Sequence, residues 1–467
     1  KPCIDMQDEG YNCEWSQELK ITESFSEYLN AWIVIHILNH KFGWNKEIRT
    51  IFNMSVGYNL EGILKDNVQW FFSKMNNCSN ELKEKIDEVK EIYSEIELID
   101  IPEKISDNIT LSTMHGCPAN EIEDIAKYLI TEKGLHTFVK LNPTLLGPEK
   151  LREILNEKLN FKTNVPDIAF EHDLKYPDAI KIIKSLQETA KGKNLHFGLK
   201  LTNTLESVNQ KSVFAKDVKM MYMSGRALHP ISIQVAKKLQ NDFNGKLQLS
   251  FSAGADAFNV VDILSCGFKT VTLCSDILKP GGYMRLNQYF EELGISNFTN
   301  TNALENLDKY ADKVLESDIY KRNYIKEPNI KTGRELTYFD CISAPCKDTC
   351  ATNQDIPDYL YHTANNRFDK AYEVILRTNP FPSITGMVCD HLCQNKCTRV
   401  NYDDSLLIRE VKRFISEQDE VRLNPTLKNK LKVAVIGAGP SGLSAAYYLS
   451  LAGFNIEVFE ANNKAGG

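Results

Sequence analysis

Apolar and polar positions follow two rhythms along the first two thirds of the chain. Short apolar runs of strand length, bounded by Gly, Pro, Asn and Ser, fall at 50–55, 109–113, 137–141, 167–171, 195–201, 247–252 and 269–274. Helical patterns lie between most of them. In one, Leu82, Ile86, Val89, Ile92 and Ile96 recur at spacings of 4, 3, 3 and 4, which predicts a single apolar stripe along a helix. Strands alternating with helices predict a parallel sheet. Seven such strands in series fit an α/β fold of the (β/α)8 barrel type, lacking its first strand or strands, better than an open sheet. This barrel domain is expected to cover 1–295. A charged helical connector follows at 296–333, then 334–424 with short helices, Pro and Cys and no strand alternation. From 431 to 467 the rhythm changes again, to strand, Gly-rich turn, helix and strand.

Composition narrows the function classes. Hydrophobic residues make up 42% and charged residues 25% of 467 positions, ordinary values for a folded globular chain. The net charge of -7 argues against a nucleic-acid partner. The longest apolar run, from Ala31 to Leu38, is interrupted by His36 and falls far short of the roughly 20 residues that cross a bilayer. No membrane association is expected. Of 12 cysteines, six are scattered (Cys3, Cys13, Cys78, Cys117, Cys266, Cys274) and six crowd between Cys341 and Cys397. That unevenness fits a reducing cytoplasm and one metal-binding segment rather than a secreted disulfide scaffold. The chain opens at Lys1 without a Met and stops at Gly467 inside the Gly-rich motif, so it reads as an internal piece of a longer enzyme.

The C-terminal motif has a defined chemistry. After the apolar run LKVAVI come Gly437, Gly439 and Gly442 in G-x-G-x-x-G spacing. The first glycine makes the tight turn, the second lets backbone approach a pyrophosphate, and the third lets helix pack on strand. Pro440 and Ser441 open the helix whose N–H groups and macrodipole would hold the diphosphate. Glu460, at the end of the next strand, is placed to accept from ribose hydroxyls.

The cysteine segment reads Cys341-x4-Cys346-x3-Cys350 and Cys389-x3-Cys393-x3-Cys397. Thiolates at this density mean metal or iron–sulfur ligation. The spacing lacks the repeated C-x2-C knuckles of structural zinc, which favours iron–sulfur over zinc. Two all-cysteine [4Fe–4S] clusters need eight thiolates, so six leave a non-cysteine ligand on each or one cluster with spare thiols.

In a (β/α)8 barrel chemistry gathers at the C-terminal ends of the strands. Here those ends carry Met114-His115-Gly116-Cys117, Lys140 with Asn142, Lys200 with Thr202, Asn203 and Thr204, Ser224-Gly225, Gly254, and Cys274-Ser275. A buried lysine needs an anionic partner, and a flavin or its phosphate would supply one. Gly254 would let a phosphate approach closely.

These segments resemble known families. GAGPSGL and the closing Gly466-Gly467 pair resemble the FAD-binding start of the glutamate synthase small subunit and of dihydropyrimidine dehydrogenase, which implies that Gly467 also lines an FAD site. CISAPCKDTCATNQDIPDYL and NPFPSITGMVCDHLCQNKC resemble the two-cluster domain of the same flavoproteins. The resemblance groups Cys341, Cys346 and Cys397 on one cluster and Cys350, Cys389 and Cys393 on the other. Relatives carry one more Cys where this chain has Tyr338, and a non-cysteine ligand further on, where Glu410 and Lys412 are the nearest matches. The barrel strand ends resemble the dihydroorotate dehydrogenase-like FMN barrel. That implies FMN contacts at Lys140 or Lys200, Ser224, Gly225, Gly254 and Ser275, with Asn203 and Thr204 toward substrate and Ala253 in place of the usual first glycine. LSTMHGCP, KLTNTL, YMSGRALHPISI and LKPGGYMRL, followed by the cluster and FAD segments, resemble the selenate reductase subunit family of cytoplasmic iron–sulfur flavoproteins.

The expected activity is an NAD(P)H-dependent oxidoreductase carrying [4Fe–4S] clusters, FAD and FMN, which reduces a ring bond in a small purine or pyrimidine. Ring reduction needs a proton donor, and a thiol is mostly protonated at pH 7 where an ordinary carboxyl is not. Cys117, just past a strand end, is the candidate acid. The alternative is an electron-transfer subunit feeding a selenate reductase or another molybdenum-enzyme partner. A zinc-stapled binding protein is a third class.

Overall fold

The computed structural model describes residues 4–5, 11–12, 19–44, 48–112, 116–210, 214, 216–278, 282–295, 302–324, 344–401, 404–418, 422–425 and 429–466. Tyr338, Cys341, His115 and Gly467 therefore lie outside the described residues. The chain forms two compact units, Lys1–Asp276 with Glu292–Pro328, and Ile277–Glu291 with Asn329–Gly467.

In the first unit the strands are β1 (Ile4–Asp5), β2 (Tyr11–Asn12), β3 (Asn53–Val56), β4 (Asn108–Ser112), β5 (His136–Leu141), β6 (Phe197–Leu201), β7 (Leu205–Val208), β8 (Met220–Met223), β9 (Leu249–Phe251) and β10 (Thr270–Val271). Six make one sheet in the order β10-β9-β6-β5-β4-β3. Every pairing in it is parallel. Alternation of side chains along each strand sorts the two faces. On β5, Thr137, Val139 and Leu141 are buried while Phe138 and Lys140 are half-buried. Helices between the strands follow the 3.6-residue period, as in Ala119–Thr131 with Ile122, Ile125, Ala126, Leu129 and Ile130 buried. The helix Tyr176–Gly192 buries Ala179, Ile182, Ile183, Leu186 and Ala190 in the same way.

Register puts one row of side chains across this sheet. Ser112 pairs with Lys140, Lys140 with Lys200, Lys200 with Ser250, and Ser250 with Thr270. Register partners in a parallel sheet point to the same face, so these five share a layer near the C-terminal strand ends. Below them Phe138 stands beside Gly198, where any Cβ would collide with the Phe138 ring.

Several expectations are corrected. The run at 167–171 is not a strand but the helix Asp167–His172. An apolar run this short carries no period, and Pro166 followed by Asp167 is a helix start. Among the described residues the parallel sheet thus has six strands where seven were expected. The hairpin of β7 and β8 was not anticipated; it is antiparallel and lies in a separate sheet of order β1-β2-β8-β7. The stripe beginning at Leu82 breaks after Val89, because the helix ends at Lys90 and Ile92 turns outward. The expected helical connector is present, and its helix Ala303–Glu316 buries Leu307, Tyr310, Ala311 and Val314 in the barrel core.

The second unit holds the helices Pro345–Thr349, Ile356–Ala364, Phe368–Leu376, Pro382–Val388, Leu392–Asn395 and Ile408–Ser416. They close on a core of Ile356, Tyr359, Val374, Ile375, Ile408 and Ile415 that includes Cys393 and Cys397. β11 (Lys432–Ile436), the helix Pro440–Leu451 and β12 (Asn455–Phe459) follow, with the two strands parallel. Among the described residues no helix is long and apolar enough to cross a membrane.

Candidate functional site

The lysine layer is perturbed by its burial. Burial, then the positive charge of Lys200, pushes Lys140 down to about 8, while Cys274 acts in the opposite direction. Burial alone lowers Lys200. Two half-buried ammonium groups side by side repel each other and are desolvated, so the layer favours a bound anion. The strand ends above it are cross-linked. Asn203 donates from its amide to Asn142 Oδ1 at 2.7 Å, and its backbone N–H bonds the Leu141 carbonyl at 2.8 Å. Thr204, half-buried, leads into β7.

Between the end of β4 and the helix Ala119–Thr131 lies a cavity of about 180 Å³, lined by residues including Tyr58, Leu111, Ser112, Cys117, Glu121 and Ile122. One lining residue, Ser112, is the register partner of Lys140, although neither Lys140 nor Lys200 lines the cavity. Cys117 Sγ points to Glu121 Oε2 at 4.0 Å. Burial and then Glu121 push its thiol up to about 11, so it keeps its proton throughout the neutral range. The other Glu121 oxygen accepts the Leu60 N–H at 3.1 Å. The Cys117 loop is anchored from behind by Asp173, which accepts the Gly116 N–H at 3.3 Å and the Thr144 hydroxyl at 2.7 Å. Glu121 and Asp173 escaped the sequence reading. Only Glu121 carried a signal, four residues beyond Cys117 and so one helical turn away.

The glycine loops also meet. A Cβ on Gly254, whose φ is +63°, would strike the Gly225 carbonyl. The close approach that Gly254 permits is thus taken by the Gly225–Arg226 peptide. Behind this junction His229 is fully buried, bonding the Ala253 carbonyl at 2.9 Å and the Tyr310 hydroxyl at 2.8 Å. Its ring stacks on Tyr320, and burial lowers its pKa to about 3, so the imidazole is neutral. Asn259 donates to the Gly254 carbonyl at 3.0 Å. Ser224 precedes the turn at Gly225, and Ser275 follows the exposed Cys274.

In the helical domain five of the six clustered cysteines are described. Burial, then Cys350 and Cys389, pushes Cys393 up to about 11. Burial, then Cys397 and Cys393, pushes Cys346 up to about 12. Tyr359 is held in its neutral form by burial and by Cys393, Cys346, Cys350 and Cys389, so it lies near four of these thiols. Buried thiols that raise one another's pKa become stable thiolates only around cationic metal. The cysteine spacing, without repeated C-x2-C knuckles, fits an iron–sulfur cluster. Glu410 does not face it: its carboxylate pairs with Arg409 at 2.9 Å and is largely exposed.

The Gly-rich turn is built as its spacing predicts. Gly437 has φ +95°, a Cβ on Gly442 would collide with the Gly437 carbonyl, and Gly439 faces open space on the side where a Cβ would stand. Pro440 is the first helical residue and Ser441 the second. Glu460 reaches the turn, but its oxygens accept backbone N–H groups from Ala438 at 2.7 Å and Asn462 at 2.8 Å. These bonds hold its carboxyl below the usual range.

A parallel barrel, a thiol-rich helical domain and a nucleotide-binding turn in one chain define a modular iron–sulfur oxidoreductase. The chain belongs to the YgfK oxidoreductase family: the model described as "Oxidoreductase YgfK, N-terminal TIM-barrel domain" matches residues 1–322. A 4Fe-4S cluster model named for dihydropyrimidine dehydrogenase domain II matches 324–422, and an NAD(P)-binding Rossmann-like model matches 435–467. The chain is 40% identical to the oxidoreductase YgfK of Escherichia coli, over 100% of this chain and 48% of that protein. It is 39% identical to the NADPH-Fe(3+) oxidoreductase subunit beta of Geobacter sulfurreducens, over 27% of this chain and 19% of that one. It is 35% identical to the glutamate synthase [NADPH] small chain of Azospirillum brasilense, over 26% of this chain and 27% of that one. The chain spans about half the length of the full-length YgfK relatives it matches.

Proposed function

We propose that this chain forms the barrel, cluster domain and nucleotide turn of an NAD(P)H-dependent enzyme that reduces a small purine- or pyrimidine-type ring. When bound, FAD and two [4Fe–4S] clusters would supply stepwise electron transfer and FMN in the barrel would supply the hydride. The chain's own residues do the rest. The Gly439 turn receives a diphosphate at a helix N-terminus. Lys140 and Lys200 hold negative charge of a flavin, with Ser224, Gly225 and Ser275 at its phosphate end and Gly254 seating the Gly225 peptide. Asn203 and Thr204 face substrate. Cys117 holds the proton for the ring atom on the far side from the hydride.

The observation that carries this reading is the pair of register-matched, half-buried lysines at the C-terminal ends of neighbouring parallel strands. The test is Cys117→Ala in the enzyme purified without oxygen, with urate, xanthine, uracil and selenate as acceptors. Ring reduction should be lost while flavin reduction by NAD(P)H survives; unchanged turnover would remove Cys117 from the role.

A second reading is an electron-transfer subunit serving a selenate reductase or another molybdenum-enzyme partner. It draws on relatives named as subunits, including an NADP(+)-dependent formate dehydrogenase subunit beta of Moorella thermoacetica. In that case the barrel carries no FMN, so flavin identity separates the two.

A further inference from the structure

The helix Ile408–Ser416 packs tightly on Pro382–Val388, because Gly386 leaves no side chain where Arg413 approaches. That contact brings Lys412 inward. Its side chain is only 6% exposed, and Nζ lies 3.5 Å from Cys389 Sγ. Lys412 also acts electrostatically on Cys393, the second thiol of the same set. Carboxylates near this helix point elsewhere: Glu410 to Arg409, and Glu417 to Arg413. A lysine held inside a protein needs anionic charge to offset its lost hydration. The groups found against Lys412 are sulfurs.

We infer that Lys412 is the positioning residue of the cluster held by Cys350, Cys389 and Cys393, standing as an ammonium that donates N–H···S to Cys389 instead of binding iron. This inference rests on the two-cluster reading above. It makes the two clusters unlike: one has three thiolates and a cation beside them, while Cys346 and Cys397 belong to the other. An ammonium against a ligating sulfur stabilises the reduced, more negative state. Lys412 therefore raises the midpoint potential of the cluster it contacts.

The experiment uses the whole chain purified without oxygen, with iron and sulfide analysis and an EPR-monitored redox titration. Wild type should show two clusters of different midpoint potential. Lys412→Gln should keep its iron and move one midpoint to more negative potential without moving the other. Lys412→Arg should restore it. Lys412→Cys should change the EPR signature of that cluster alone. If Lys412→Gln leaves both midpoints in place with full iron, the lysine does not act on the cluster. If Lys412→Gln and Lys412→Arg both lose one cluster's iron while circular dichroism stays native, Lys412 is a ligand and the inference is overturned. Zinc, or a single cluster, in wild type would instead reject the two-cluster reading on which it stands.

Discussion

At the scale of single residues, the account turns on charge in confined places. Lys140 titrates near 8 because burial and Lys200 both oppose its charge. An anion bound there would favour the charged form, so its binding takes up a proton. Flavin or phosphate affinity for the barrel should thus be highest below pH 8 and fall as pH rises through that value, measured by flavin release on titration. Lys140→Met removes one charge-assisted contact and should weaken retention by about 10- to 100-fold. Each lysine was visible in the sequence at a strand end. That they stand side by side was not, because register between β5 and β6 is set by pairing across nearly sixty intervening residues. Asp173 was invisible for a similar reason: its role comes from contacts to Gly116 and Thr144, on other segments.

At the scale of elements, glycines and buried charges decide the packing. Gly442→Ala would drive a methyl into the Gly437 carbonyl, separating helix from strand at a cost of about 1–3 kcal/mol. Loss of nucleotide binding, followed by fluorescence quenching, should accompany the fall in Tm. In the helical domain Asp358 is 4% exposed, and burial followed by Glu291 raises its carboxyl to about 7. A carboxyl raised in the folded state costs stability as pH climbs from the ordinary carboxylate range to about 7, after which the loss is constant. Asp358→Asn should therefore gain Tm over wild type at pH 8 and gain less at pH 5.5, read by differential scanning fluorimetry. The Gly-rich turn was fully legible because its chemistry is local. The run at 167–171 was misread because a few apolar residues beside a proline fit either a strand or a helix. The grouping of the thiols is implied by resemblance alone, because which sulfurs share a cluster depends on contacts between segments some forty residues apart.

At the scale of the whole molecule, three modules follow one another in an order shared with full-length YgfK over the entire chain. Barrel and nucleotide domain were both apparent from their periodicities. The weight of the connector helix in the barrel core was not, since Leu307, Tyr310, Ala311 and Val314 read as an ordinary amphipathic stripe. The most direct measurement is the cofactor content of the anaerobically purified enzyme, with iron, sulfide and zinc by elemental analysis and released flavin by mass spectrometry. The account predicts iron and sulfide in nearly equal amounts, roughly eight of each for two clusters, with FMN present alongside FAD. Zinc in place of iron, or FAD without FMN, would contradict it.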